Sequence, residues 1–267
     1  MAEPIIQFRG IQKTFGPKQV YTDLTLDVFP GETLTVIGGS GVGKSVLLKL
    51  LIRLLEADAG AIEAFGEDVG KLDAKGLIRL RTRIAMLFQG GALFDSLSVA
   101  DNIKYPLVEH GWGSPGEMDR RVTEVLEMVD LPGIERMHPA ELSGGMRKRV
   151  GLARAIAIKP EVILYDEPTT GLDPLNVRRI NGLILSLQER LGVTSIVVTH
   201  DMDSAFTVTD RLAMIRNHRI AFVGSLEEAQ SSDLSYLASF MAGGRGTLEG
   251  APDPADADTD PGDETAG

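Results

Sequence analysis

Four short apolar runs punctuate the chain: "TLTVIG" (33–38), "RIAMLF" (83–88), "VILYDE" (162–167) and "TSIVVTH" (194–200). Each is bounded by Gly, Pro or charge and carries branched aliphatic residues. This predicts strands buried on both faces, as in a parallel sheet covered by helices. Ahead of them, "TLDVFPGE" (25–32) alternates apolar with polar and ends in a Pro-Gly turn, which predicts an antiparallel strand pair near the N-terminus. The pattern turns helical between these runs. Met118, Val122, Val125, Leu126 and Val129 share one helix face, so residues 98–140 are expected to form a separate helical lobe. Strands alternating with helices place the chain in the α/β class with a mostly parallel core sheet. One domain is expected over 1–243. Residues 244–267 are rich in Gly, Pro, Ala and acid, and are expected to form a disordered acidic tail.

Charge and composition narrow the function. The net charge is −11, but seven carboxylates after Arg245 account for most of it and leave the body at about −4. Neither part offers a basic footprint for a phosphate backbone, so nucleic acid is not an expected partner. With no cysteine in its 267 residues, the chain has no disulfide, thiolate metal site or cysteine nucleophile. The start "MAEPIIQFRG" lacks the basic and apolar regions of a signal peptide, and Lys49 and Arg53 interrupt the most apolar helical window, "VLLKLLIRLL". A soluble chain able to dock on a membrane protein is the expectation.

The chemistry begins at "GGSGVGKS", which fits GxxxxGK[ST] and lies between an apolar strand and an apolar helix. Gly38, Gly39, Ser40, Gly41, Val42 and Gly43 would wrap their backbone N–H groups around a phosphate chain, and the helix N-terminus adds partial positive charge. Lys44 would reach the β- and γ-phosphates, and the Ser45 hydroxyl would ligate Mg²⁺. "VILYDEP" ends a strand in two carboxylates: Asp166 to hold the Mg²⁺ shell, and Glu167 to polarise an attacking water. His200 ends a third strand, in the position where ligands collect on a parallel sheet. His110, His138 and His218 carry no such signal. Tyr165 is bulkier and more polar than the usual aliphatic residue and needs a hydroxyl partner if buried.

The block "ELSGGMRKRVGLARAIAIKPEVILYDEPTTGLDP" (141–174) resembles the ABC-transporter ATPases: a signature loop, a helix, a Walker B strand and a D-loop in the family's order. The resemblance runs from about Ile5 to Gly224. It implies a P-loop NTPase fold of the ABC type, ATP and Mg²⁺ as ligands, and Phe15 stacked on adenine. It also implies Gln89 as the amide that touches Mg²⁺ and the attacking water, and Ser143, Gly144, Gly145 and Asp173 at the nucleotide held by a second copy. One chain carries one phosphate loop and one signature, so a working ATPase requires two copies head to tail. The signature has Met146 where Gln is commoner, yet Ser143 before Gly-Gly and a helix can still hold a phosphate oxygen.

"LFQGGALFDSLSVADNIKYPL" (87–107), "LSGGM" and "YLASFMAGG" resemble the ATPase subunits of Mla and Mce-type phospholipid transport systems. That resemblance implies a homodimer peripheral to the cytoplasmic face of the inner membrane, bound to an integral membrane permease. An Mce-domain lipid-binding protein and a STAS-domain protein are further implied partners. It also implies that the apolar segment after Gln89 receives a short helix from the permease. Two alternatives stay open: the ATPase of an amino-acid or other small-solute importer, which shares every catalytic motif, and a soluble ABC ATPase outside transport.

Overall fold

The computed structural model describes residues 3–232, 234, 236–238 and 240; the expected tail at 244–267 lies outside the described residues. β1 (Ile6–Phe15) turns through Gly16 and Pro17 into β2 (Lys18–Val28), the antiparallel pair near the N-terminus. The Pro30-Gly31 turn does not close that pair. It carries the chain into a different sheet, at β3 (Thr33–Ile37). The physical reason is burial: β2 alternates and keeps one face partly wet, whereas every residue of β3 is buried and needs cover on both sides.

After β3 come α1 (Lys44–Leu51), β4 (Ala59–Ala64) and β5 (Glu67–Asp68), then α2 (Ala74–Arg83) and β6 (Ile84–Leu87). Two helices follow, α3 (Val99–Glu109) and α4 (Pro115–Met128), in the stretch where the sequence pattern turns helical. Next are α5 (Gly144–Ile156), β7 (Val162–Asp166), α6 (Pro174–Leu191) and β8 (Thr194–Val198). The described elements end with α7 (Met202–Val208), β9 (Arg211–Arg216), β10 (Arg219–Gly224) and α8 (Leu226–Gln230).

The first sheet has the order β2-β1-β4-β5 and is antiparallel, and the second runs β10-β9-β3-β8-β7-β6. Among the described residues only β10 is antiparallel in the second sheet, so the α/β fold with a mostly parallel core is as the patterning predicts. Alternate residues of its strands serve two cores. Val162 and Leu164 of β7 pack with α1 and the antiparallel sheet, while Ile163 and Tyr165 pack with the helices on the other side. The Tyr165 hydroxyl faces Ser195 on β8 without a well-formed hydrogen bond, and burial pushes the phenol far above its ordinary pKa.

This topology places the site. β3, β8, β7 and β6 are neighbours, and the loops leaving their carboxyl ends carry Lys44, His200, Glu167 and Gln89 in that order across the sheet.

Candidate functional site

The phosphate loop folds back on its own lysine. Lys44 is buried, and its ammonium donates to the carbonyls of Gly38 at 2.8 Å and Gly39 at 3.0 Å. Burial pushes the Lys44 ammonium below the usual lysine range, and Glu167 and Asp166 oppose that shift. Gly43 takes φ +108°, and a side chain there would run into Val20 and the Tyr21 hydroxyl. The Tyr21 hydroxyl donates to the Gly43 carbonyl at 2.6 Å, so the β1–β2 hairpin is fastened to the loop. Phe15 stands exposed at the end of β1. Asp58 braces that strand end by accepting from Lys13 Nζ at 2.7 Å, from the Thr14 amide at 2.6 Å and from the Thr14 hydroxyl at 2.8 Å.

The metal-site expectation can be tested on the donors themselves. Ser45 Oγ donates to Asp166 Oδ1 at 2.5 Å, which joins the start of α1 to the end of β7. Both are hard oxygen donors. Among the described residues there is no cluster of three or more His, Cys, Asp or Glu that could form a cage. One hydroxyl and one carboxylate fit Mg²⁺, which keeps several waters and takes its remaining ligands from substrate phosphates.

Glu167 follows Asp166 with a left-handed backbone, φ +49°. A side-chain-bearing residue pays about 1–3 kcal/mol for such a conformation, and it persists only where neighbours over-determine it. Here the neighbours are plain. The Glu167 amide donates to Val198 of β8 at 2.9 Å, and its Oε2 accepts from the Thr170 hydroxyl at 3.1 Å. The same oxygen is 2.8 Å from His200 Nδ1, and the carboxylate side chain is only 12 % exposed while the imidazole is open. Beneath the loop, Lys148 of α5 donates to the carbonyls of Glu167, Pro168 and Thr170.

A second group of residues lies apart from the first. Ser143 caps α5 by accepting from the Met146 amide at 3.2 Å, and Asp173 caps α6 by accepting from the amides of Leu175 and Asn176. Asn176 Nδ2 also donates to Asp173 Oδ2 at 2.5 Å, and its amide lies where a side chain on Gly145 would go. The signature and D-loop thus form one unit. Among the described residues, Lys148 is the hydrogen-bonded link from that unit's helix to the Glu167 loop.

Gln89 is exposed just beyond β6. The segment after it is better ordered by contacts than its composition suggests, because the buried Asn102 ties it down. Asn102 Oδ1 accepts from the Phe94 amide at 2.8 Å, and Nδ2 donates to the carbonyls of Phe94, Leu97 and Ser98. Phe94 and Tyr105 are exposed, with ring centroids 4.7 Å apart, and form an apolar surface patch.

Reading the sequence did not single out Tyr21, Asn102, Thr170 or Lys148. Tyr21 and Asn102 sit inside regular elements without a motif. Lys148, in "RKR", carried one hint: three consecutive cations at the start of a helix cannot all face water once that helix is packed on two sides.

A phosphate loop, a strand ending in two carboxylates and a terminal histidine on one parallel sheet define a P-loop nucleoside triphosphatase with an added antiparallel sheet and helical lobe. Residues 21–170 match the family described as ABC transporter. The chain is 38 % identical to the intermembrane phospholipid transport system ATP-binding protein MlaF of Haemophilus influenzae, over 91 % of this chain and 92 % of that protein. It is 40 % identical to a probable ribonucleotide transport ATP-binding protein, mkl, of Mycobacterium leprae, over 90 % of this chain and 69 % of that protein. Among solved structures, the ATP-binding cassette MJ0796, a dimer in a post-hydrolysis state with ADP and Pi, is similar with a TM-score of 0.76. It is 29 % identical, covering 83 % of this chain and 98 % of that one. The cbiO1 protein of Clostridium perfringens, part of a cbiONQ transporter complex, gives a TM-score of 0.78 at 27 % identity, over 88 % and 93 % of the two chains. The chain belongs to the ABC transporter ATPases and is an ATP-hydrolysing cassette. Among the described residues no helix is long and apolar enough to cross a membrane.

Proposed function

We propose that this chain is the ATPase subunit of a phospholipid transport system of the Mla/Mce type, acting as a homodimer on a membrane permease at the cytoplasmic face of the inner membrane. The observation that carries the lipid reading is the near end-to-end match to MlaF, over about nine-tenths of both chains. The exposed Phe94, in the segment that follows Gln89, and Tyr105 against it support docking of a permease segment there. An Mce-domain protein and a STAS-domain protein are proposed further partners.

In the proposed cycle, two copies close head to tail with a nucleotide between the phosphate loop of one and Ser143 of the other. The amides of Gly38 to Gly43 and the start of α1 hold the phosphates, and Phe15 stacks on adenine. Lys44 exchanges the Gly38 and Gly39 carbonyls for phosphate oxygens. Ser45, Asp166 and Gln89 would hold Mg²⁺, which would supply neutralising charge to the phosphates when bound. Glu167 accepts the proton of the attacking water, which the Gln89 amide orients. His200, anchored through Nδ1 on Glu167, helps to position the same water. Gly144, Gly145 and Asp173 complete the site across the dimer.

The second reading is a small-solute transporter, favoured by the 40 % identity to the ribonucleotide-transport protein mkl. Purifying the tagged chain gently from native membranes, with its proteins and lipids identified by mass spectrometry, separates the two. A permease, an Mce-domain protein and bound phospholipid are expected. A permease with a soluble solute-binding protein and no lipid would overturn the lipid reading.

A further inference from the structure

The Glu167 loop is gripped from below by a residue that no motif contains. Lys148 stands on α5, five positions after Ser143, and is only 6 % exposed. Its ammonium has three protons and three acceptors: Glu167 O at 3.3 Å, Pro168 O at 2.8 Å and Thr170 O at 2.7 Å. These carbonyls belong to the turn that begins with the left-handed Glu167 and ends at Gly171, φ +76°. The carbonyls accept from Lys148 while the Glu167 amide donates to the Val198 carbonyl of β8. Between them the two anchors set the peptide planes on either side of the Glu167 Cα, and hence where its carboxylate points.

The rest of that helix face is equally committed. Three residues on, Gly151 leaves no room for a side chain against the Gly91 carbonyl, and a Cβ there would lie 2.9 Å from it. Three further, Arg154 donates to the carbonyls of Ala92 at 2.9 Å and Gly91 at 3.2 Å. Its guanidinium lies 5.8 Å from the centroid of the Phe94 ring. One face of α5, read at intervals of three, therefore touches the Glu167 turn, the loop after Gln89 and the apolar patch.

We propose that Lys148 is a positioning residue for hydrolysis: through the carbonyls of 167, 168 and 170 it aims the Glu167 carboxylate, and it ties that aim to the helix that begins at Ser143. The proposal rests on the reading of Glu167 as the base. It assigns Lys148 no contact with nucleotide, so its loss acts on turnover and leaves nucleotide binding in place.

The test is steady-state ATP hydrolysis by the full chain. Lys148→Met keeps most of the length of the side chain and removes every donor. It is expected to lower kcat by about 10²-fold, the scale of a roughly 1 Å misplacement of a catalytic group, with KM for ATP changed by less than about twofold. Lys148→Gln restores N–H donors and recovers part of the rate. In a Glu167→Gln background Lys148→Met takes nothing further from the residual rate, because it acts through the carboxylate already removed. Wild-type turnover in Lys148→Met, an independent loss on top of Glu167→Gln, or a fall in nucleotide affinity matching the fall in kcat would each overturn the proposal. If Lys148→Met does not fold, Lys148→Gln is decisive: a reduced kcat at the wild-type thermal midpoint supports the proposal and an unchanged kcat overturns it. Near-normal turnover in Glu167→Gln alone would instead sink the underlying assignment of the base.

Discussion

Glu167 and Asp58 show how single side chains spend local interactions on geometry. Glu167 keeps an unfavourable backbone because Val198, Thr170, His200 and Lys148 all hold it. Asp58 does the same for the strand end that carries Phe15. Hydrogen bonds from Lys13 and then Thr14 bring its carboxyl down to about 2 from an ordinary 3.8. A depressed carboxylate pKa stabilises the folded chain above the unfolded value, and the contribution disappears as pH falls from about 4 through about 2. An NMR titration of the Asp58 carboxyl should therefore show a midpoint near the lower value, drifting upward with salt because the group is exposed. A midpoint near 3.8 would mean that Lys13 and Thr14 do not hold it in solution. The motif residues at this scale were legible in the sequence because phosphate chemistry demands fixed spacings. Tyr21 and Lys148 were not, since they act through backbone carbonyls, which any sequence supplies everywhere.

Among the elements, α5 and the loop before α3 carry most of the wiring. Ser143 caps α5 and Lys148, Gly151 and Arg154 line one of its faces, while Asn102 inside α3 organises the loop from Phe94 to Ser98. Removing that amide strands buried backbone groups at a cost of about 1–3 kcal/mol. Asn102→Ala is expected to lower the thermal midpoint by about 2–12 °C, given about 2–4 °C per kcal/mol for a chain of this size. An unchanged midpoint would show that water replaces the amide and that the segment is not held from α3. Four of the six strands of the core sheet, β3, β6, β7 and β8, could be read from their apolar runs, and α4 from its face; β9 and β10 were not read. The Pro30-Gly31 turn misled because a Pro-Gly pair marks a reversal without saying which sheet receives the next strand; the full burial of β3 decides that.

For the whole molecule, the site residues fall into two groups that one chain does not bring together. Lys44, Ser45, Asp166, Glu167 and His200 converge at the carboxyl edge of the parallel sheet. Ser143, Gly145, Asn176 and Asp173 form a separate unit, connected to the first through Lys148. In the proposed cycle these are halves of two different sites, each completed by a second copy. The mass of the Glu167→Gln chain in solution, with ATP and Mg²⁺ and without them, tests this head-to-tail pairing most directly. The substitution should slow hydrolysis by about 10²–10⁴-fold while leaving binding intact, so the closed state accumulates. Light scattering should then show the mass rise from 28.7 kDa to about twice that value on adding ATP, and fall again once the nucleotide is removed. A chain that binds ATP and stays at 28.7 kDa would contradict the account.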